Sequence, residues 1–279
     1  MKKISWLTGL MLVLVLALAG CGSSDSNKSE SSGDSKETFT IGMEAGYPPF
    51  NWTQQDDSNG AVKIKGGAEY AGGYDVAIAQ KVADKLGKEL VIVKTEWDGL
   101  VPALTSGKID AIVAGMSPTK DRLKTIDFSD VYYTSNLVMV VKKGGKYEKA
   151  TSLADFKDAK VTGQLNTFHY SVIDQIDGVQ KQTAMDNFPA MRVALESGKV
   201  DGYVSERPEG VSASAANEKF AMVEFTDGFK TSKEDTAIAV GLPKGSDLKD
   251  PVNEALKGIS EDERTKLMDE AIANQPAAK

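Results

Sequence analysis

Two eight-residue segments constrain this chain more than any other feature. Residues 103–110 read ALTSGKID and residues 194–201 read ALESGKVD, an agreement at six of eight positions. Their glycines, Gly107 and Gly198, lie 91 residues apart. Each copy follows a helical segment led by an aromatic residue, Trp97 or Phe188, and each runs into an apolar strand ending in a valine, Val113 or Val204. A helix that stops at a glycine and turns into a strand is half of an α/β unit. Two copies at this spacing are too few and too long for a solenoid. The chain is therefore expected to build two similar α/β lobes.

The remaining pattern agrees. Residues 39–43, 90–93, 138–141 and 236–240 are apolar runs of strand length, and residues 75–86 have the period of an amphipathic helix. Strands alternating with helices predict mixed, mostly parallel sheets covered on both faces. Ligands of such sheets bind beyond the carboxyl ends of the strands, where the two copies place Gly115 and the pair Ser205 and Glu206. Residues 113–122 (VAGMSPTKDR) read as a strand that stops at Gly115 and a short helix from about Thr119, with Arg122 in its first turn. A cation is poorly placed there for the helix dipole, which argues for a role beyond the helix. Superposing the copies sets Gly115 on Glu206, so one loop brings a cation, Arg122, and the other an anion. Facing lobes would complement a zwitterion such as a free α-amino acid.

The N-terminus reads as a leader. Lys2 and Lys3 precede a mostly apolar run over 4–19, then Ala19, Gly20 and the only cysteine, Cys21. This is the pattern of a secretory signal peptide over 1–20, too short for a membrane span. The tetrad LAGC at 18–21 resembles the lipobox of bacterial lipoproteins, which implies lipidation of Cys21 and anchoring at the outer face of the cell membrane. Residues 21–37 continue as a polar, Ser/Gly/Asp-rich tether. With Cys21 acylated no disulfide is possible. The net charge is −7, and loss of Lys2 and Lys3 takes it to −9. No basic patch is present, which excludes nucleic acid as a partner. A single histidine, His169, and no His/Cys cluster leave neither a metal site nor a nucleophilic triad. No cofactor, metal or catalytic residue is expected, and the globular part is expected to be a monomer.

Four motifs in order, GYPPF at 46–50, GYD at 73–75, GMSPTKDR at 115–122 and IDFS at 126–129 followed by Tyr132 and Tyr133, carry a resemblance. Together they are similar to the polar amino-acid family of ABC-transporter substrate-binding proteins, also called bacterial solute-binding proteins of family 3. The resemblance covers essentially the whole globular part. It implies the type II periplasmic-binding-protein fold, a two-lobed Venus flytrap joined by two hinge strands. Residues 38–133 and 232–279 would form lobe 1, and residues 137–229 lobe 2. The implied partners are a free amino acid and the membrane permease of an ABC transporter.

The resemblance also implies roles. Arg122 would grip the ligand carboxylate through a bidentate fork, with Ser117 and the backbone of Gly115 adding hydrogen bonds. Glu206 stands where the family usually has an aspartate for the ligand ammonium. Tyr74 would lie over the ligand side chain, with Tyr47, Phe50 and Trp52 as an aromatic wall, and Asp75 would cap the helix that follows it. Asn166 replaces a family glycine, and the backbone around Thr167 would meet the carboxylate from lobe 2. Glu44 would face a distal cation, which favours lysine, arginine, histidine or ornithine, with glutamine or another polar amino acid such as cystine behind them. A sensor or an enzyme on the same fold is the alternative class.

Overall fold

A computed structural model of the chain describes residues 37–276. The leader, Cys21 and all of the tether before Glu37 lie outside the described residues.

The first strand, β1 (Thr38–Met43), buries Phe39, Ile41 and Met43, the period-two alternation of a sheet covered by helices. A small four-stranded sheet follows, made of β2 (Gly46–Tyr47), β3 (Asn51–Gln54), β4 (Val62–Lys63) and β5 (Tyr70–Gly72). Helix α1 (Tyr74–Leu86) buries one face and stops at Gly87, whose φ of 69° is left-handed. Strand β6 (Glu89–Lys94), helix α2 (Leu100–Thr105), strand β7 (Ala111–Ile112) and the long β8 (Asp127–Thr134) complete the outgoing half of lobe 1.

The chain then crosses into lobe 2. There β9 (Leu137–Lys142), β10 (Lys160–Thr162), α3 (Phe168–Ser171), β11 (Gln180–Lys181), α4 (Phe188–Ser197), β12 (Gly202–Glu206), α5 (Arg207–Ala216) and β13 (Phe220–Val223) follow one another. It returns through α6 (Lys233–Thr236) into β14 (Ala237–Leu242), and ends with α7 (Lys249–Lys257) and α8 (Glu261–Asn274) on lobe 1. Among the described residues no helix is long and apolar enough to cross a membrane.

The two large sheets repeat one plan. Lobe 1 has the order β6-β1-β7-β14-β8 and lobe 2 the order β11-β10-β12-β9-β13. In each, the first three strands pair in parallel and the fourth, β14 or β9, runs antiparallel to both of its neighbours. Four of the five strands in each large sheet therefore point the same way, the mixed, mostly parallel arrangement expected, with one reversed strand in each. The cause is the double crossing between lobes: a chain that leaves by one strand and re-enters by another must lay the two antiparallel, as β14 lies on β8.

The repeated octapeptides feed β7 and β12, the third strand of each sheet. Ser106 and Ser197 each donate from Oγ to the carbonyl three residues back at 3.1 Å, and Gly107 and Gly198 take left-handed φ of 73° and 78°. Asp110 and Asp201 then clamp the neighbouring strand identically. The Asp110 amide donates to the Thr40 carbonyl at 2.7 Å while its carboxylate accepts from the Thr40 amide at 2.8 Å. Asp201 does the same to Lys160 at 2.7 and 2.8 Å.

Two local expectations differ. Asp75 does not cap α1. Gly73 is the N-cap at φ 118°, and a Cβ there would sit 2.5 Å from the Phe50 carbonyl oxygen, so only glycine lets the helix start against that loop. Arg122 opens a single 3₁₀ turn, Arg122–Lys124, rather than an α-helix.

Candidate functional site: the interlobe cleft

Strand ends and loops of both lobes meet at one seam, and the segment 164–169 of lobe 2 touches three separate groups of lobe 1 or its own sheet along it. Gln164 Nε2 donates to Glu44 Oε2 at 2.9 Å. The Asn166 carbonyl accepts from Arg122 Nη2 at 3.1 Å, and its side-chain amide donates to Asp98 at 2.9 Å. His169 Nε2 lies 3.8 Å from Glu206 Oε1. Asn166 adopts a left-handed φ of 55°, the conformation that the substituted glycine would supply. Thr167 Oγ1 closes the corner by donating to the Gln164 carbonyl at 2.7 Å.

Arg122 is the cation of the seam. Its Nη1 donates to the Ser117 carbonyl at 2.9 Å, and its guanidinium lies over the Trp97 ring, 5.0 Å from the centroid. Among the described residues no carboxylate is within salt-bridge distance of it. Withdrawal from water pushes its pKa down to about 10, which still leaves it charged at neutral pH. A half-buried guanidinium without a counter-charge is a ready anion site. The Ser117 hydroxyl is otherwise engaged, donating to the Asp235 carbonyl at 2.8 Å.

Glu206 ends β12 and is 1% exposed. One oxygen accepts from the Tyr47 hydroxyl; the other has no hydrogen-bond partner, and neither has any ring nitrogen of the buried His169. Tyr47 reaches across from lobe 1 and stacks on Phe188 at 4.1 Å with the rings 9° apart. Burial, together with the Glu206 charge, holds the Tyr47 phenol well above its usual pKa. Gly115 fits beneath this ring. Its φ is 62°, and a Cβ would fall 2.8 Å from the Tyr47 ring. Buried polar atoms left unpaired are costly and rare, and Glu206 Oε1 with both His169 ring nitrogens is such a group on the seam.

Glu44 follows β1 and is 7% exposed, with Oε1 unpartnered. Burial pushes its pKa up to about 8 against the lowering effect of the Gln164 bond, with smaller upward contributions from Glu96 and Asp75. Glu44 and Trp52 line a cavity of about 790 Å³ between the lobes, with Lys94 and Glu96 on one side and Pro189 and Arg192 on the other. Of the other site candidates, all but Tyr74 lie along the seam beside this cavity rather than on its walls, and Tyr74, expected over the ligand side chain, does not reach the cleft. Tyr74 is fully buried within lobe 1, its hydroxyl donating to the Tyr132 carbonyl at 3.0 Å and its ring edge-on to Tyr133 at 5.4 Å.

Sequence reasoning passes over Trp97, Gln164 and His169 as site residues. Trp97 and Phe188 are within its reach: they are 91 residues apart, the repeat's own spacing, and each flanks the seam, one under Arg122 and the other on Tyr47. His169 carries no such signal, because only the turn at Asn166 sets its direction.

The model of the family described as bacterial extracellular solute-binding proteins, family 3, matches residues 39–273. The chain is similar to the L-cystine-binding protein TcyJ of Escherichia coli, 30% identical over 81% of this chain and 78% of that one. It is also similar to the arginine-binding extracellular protein ArtP of Bacillus subtilis, 29% identical over 84% and 85%. Among solved structures, an amino acid ABC transporter substrate-binding protein from Streptococcus pneumoniae bound to L-arginine matches with a TM-score of 0.75. That match has 28% identity and covers 85% of this chain and 94% of the other.

Proposed function

The chain belongs to the bacterial extracellular solute-binding proteins, family 3, a family of binding proteins rather than enzymes, and on that premise we propose that it captures a free L-amino acid between its lobes. Arg122 grips the carboxylate and Glu206 the ammonium, with His169 beside it. Lipidated Cys21 holds the chain at the outer face of the membrane, where the closed form hands its ligand to the permease of an ABC importer. The observation that carries this reading is Arg122, charged and without a carboxylate partner, on the same seam as an unpartnered Glu206 oxygen. A micromolar ligand corresponds to about −8 kcal/mol, within reach of one carboxylate fork, one ammonium pair and an aromatic contact.

Glu44 selects the side chain. Ionised, it pairs with the distal cation of lysine, arginine, histidine or ornithine, and this is the favoured reading. A second reading rests on the same residue. With its pKa near 8, Glu44 holds a proton at neutral pH and can donate to a neutral polar group, as glutamine or cystine would present. A thermal-shift screen over the twenty amino acids with ornithine, citrulline and cystine separates the two. A rise in Tm confined to basic ligands supports the first, glutamine or cystine alone would overturn it, and no rise with any amino acid would sink both.

A further inference from the structure

Asp75 sits in the first turn of α1, fully buried, yet it takes no part in capping that helix. A buried carboxylate is costly, and an apolar residue of like size would serve the packing better. Its bonds point elsewhere. Oδ2 accepts from Asn51 Nδ2 at 2.8 Å, and Oδ1 accepts from the Tyr132 hydroxyl at 2.7 Å. The Tyr132 oxygen in turn accepts from the Gly115 amide at 3.3 Å. Three elements far apart in sequence, α1, β8 and the loop after β7, are thereby joined in one line ending at the cleft.

The Gly115 loop is held from both sides. Tyr132 takes its N–H from within lobe 1, and Tyr47 covers its Cα from the cleft. Two residues on, the Ser117 carbonyl accepts from Arg122. A loop free to rotate at Gly115 would carry that carbonyl, and the guanidinium on it, out of register with Glu206. Glycine at φ 62° has no side chain to resist such rotation, so the restraint has to come from its hydrogen bonds. We propose that Asp75, acting through the Tyr132 hydroxyl, is a positioning residue that fixes the Gly115 loop and so aims Arg122 into the cleft.

The test compares Y132F, D75L, which removes both acceptor oxygens, and the double variant. It rests on the amino-acid reading only in its affinity arm. In the ligand-free chain each single variant is expected to speed hydrogen exchange of the Gly115 amide roughly tenfold and to move its ¹H–¹⁵N resonance, leaving lobe 2 amides in place. The double variant should do no more than either single one, because both cut the same line. Calorimetry with L-arginine should show about a tenfold loss of affinity in each. Wild-type exchange at Gly115 in both single variants overturns the inference, as does a double variant whose effect is the product of the singles. Failure of the wild-type chain to bind L-arginine would count against the basic-ligand reading, and the exchange arm would still decide the role of Asp75. D75L fills the site with a side chain of similar reach and no acceptor, so the exchange comparison stays decisive even where Y132F loses the fold.

Discussion

Arg122 and Glu44 respond to the same burial in opposite ways. Arg122 drops to about 10 and stays charged, so R122A removes the cation on which the proposed carboxylate site is built. Binding should weaken by about 3–5 kcal/mol, the cost of leaving a ligand carboxylate unpaired in a closed cleft, and calorimetry giving near-wild-type affinity would exclude Arg122 from the site. Glu44 rises from 4.5 to about 8 and Asp75 from 3.8 to about 7, so both hold protons in the fold that the unfolded chain has already released. Their contribution to stability is complete below those starting values and is lost progressively as pH climbs through 7 to 8. The Tm of the ligand-free chain should fall over this range, and E44Q should flatten the fall. A cationic ligand must also expel the Glu44 proton. Titrations at pH 7 in buffers of different ionisation enthalpy should show up to one proton released for a basic amino acid, and none for glutamine or in E44Q.

At the scale of the element, the repeat explains itself bond by bond. Its serines, left-handed glycines and aspartates do the same work in both lobes, so the sequence match reports two copies of one helix-to-strand turn. The copies are not energetically equal, because the bond that the Asp110 carboxylate accepts is partly buried and the one that Asp201 accepts is exposed. D110A should cost about 1–2 kcal/mol and D201A under about 1 kcal/mol, read as Tm losses of about 2–4 °C per kcal/mol. Equal losses would contradict the burial argument. The turns are legible in the sequence because each lies within eight residues. Asp75 misleads for the converse reason. The local pattern favours an aspartate as helix cap, whereas its actual partners, Asn51 and Tyr132, are 24 and 57 residues away. Arg122 and Glu206 can be paired from the repeat, but no sequence window shows that Tyr47 would lie against Glu206 or that Gln164 would meet Glu44.

At the scale of the whole molecule, the last helix ties the lobes together. Helix α8 is anchored to lobe 1, where Lys81 pairs with Glu263 at 2.5 Å and Arg264 donates to the Val131 carbonyl at 3.0 Å. Its far end reaches lobe 2. Gln275 accepts from the buried Ser212 hydroxyl on α5 and donates to the Ser212 carbonyl at 3.2 Å. Q275A should loosen the closed arrangement and weaken ligand binding about five- to tenfold, the worth of one to two hydrogen bonds. Unchanged affinity would show that this contact persists in the open form as well. Two lobes with mixed sheets are readable from the repeat and the apolar runs, whereas the strand order is not, and this contact rests on polar residues near the C-terminus that no motif marks. In the proposed function the two lobes form a clamp for a zwitterion. The most direct measurement is a calorimetric titration of the chain with the amino acid that raises its Tm most, beside the methyl ester of that same amino acid. Masking the carboxylate should cost about a hundredfold or more in affinity; an ester that binds within about threefold of the free acid would contradict the clamp.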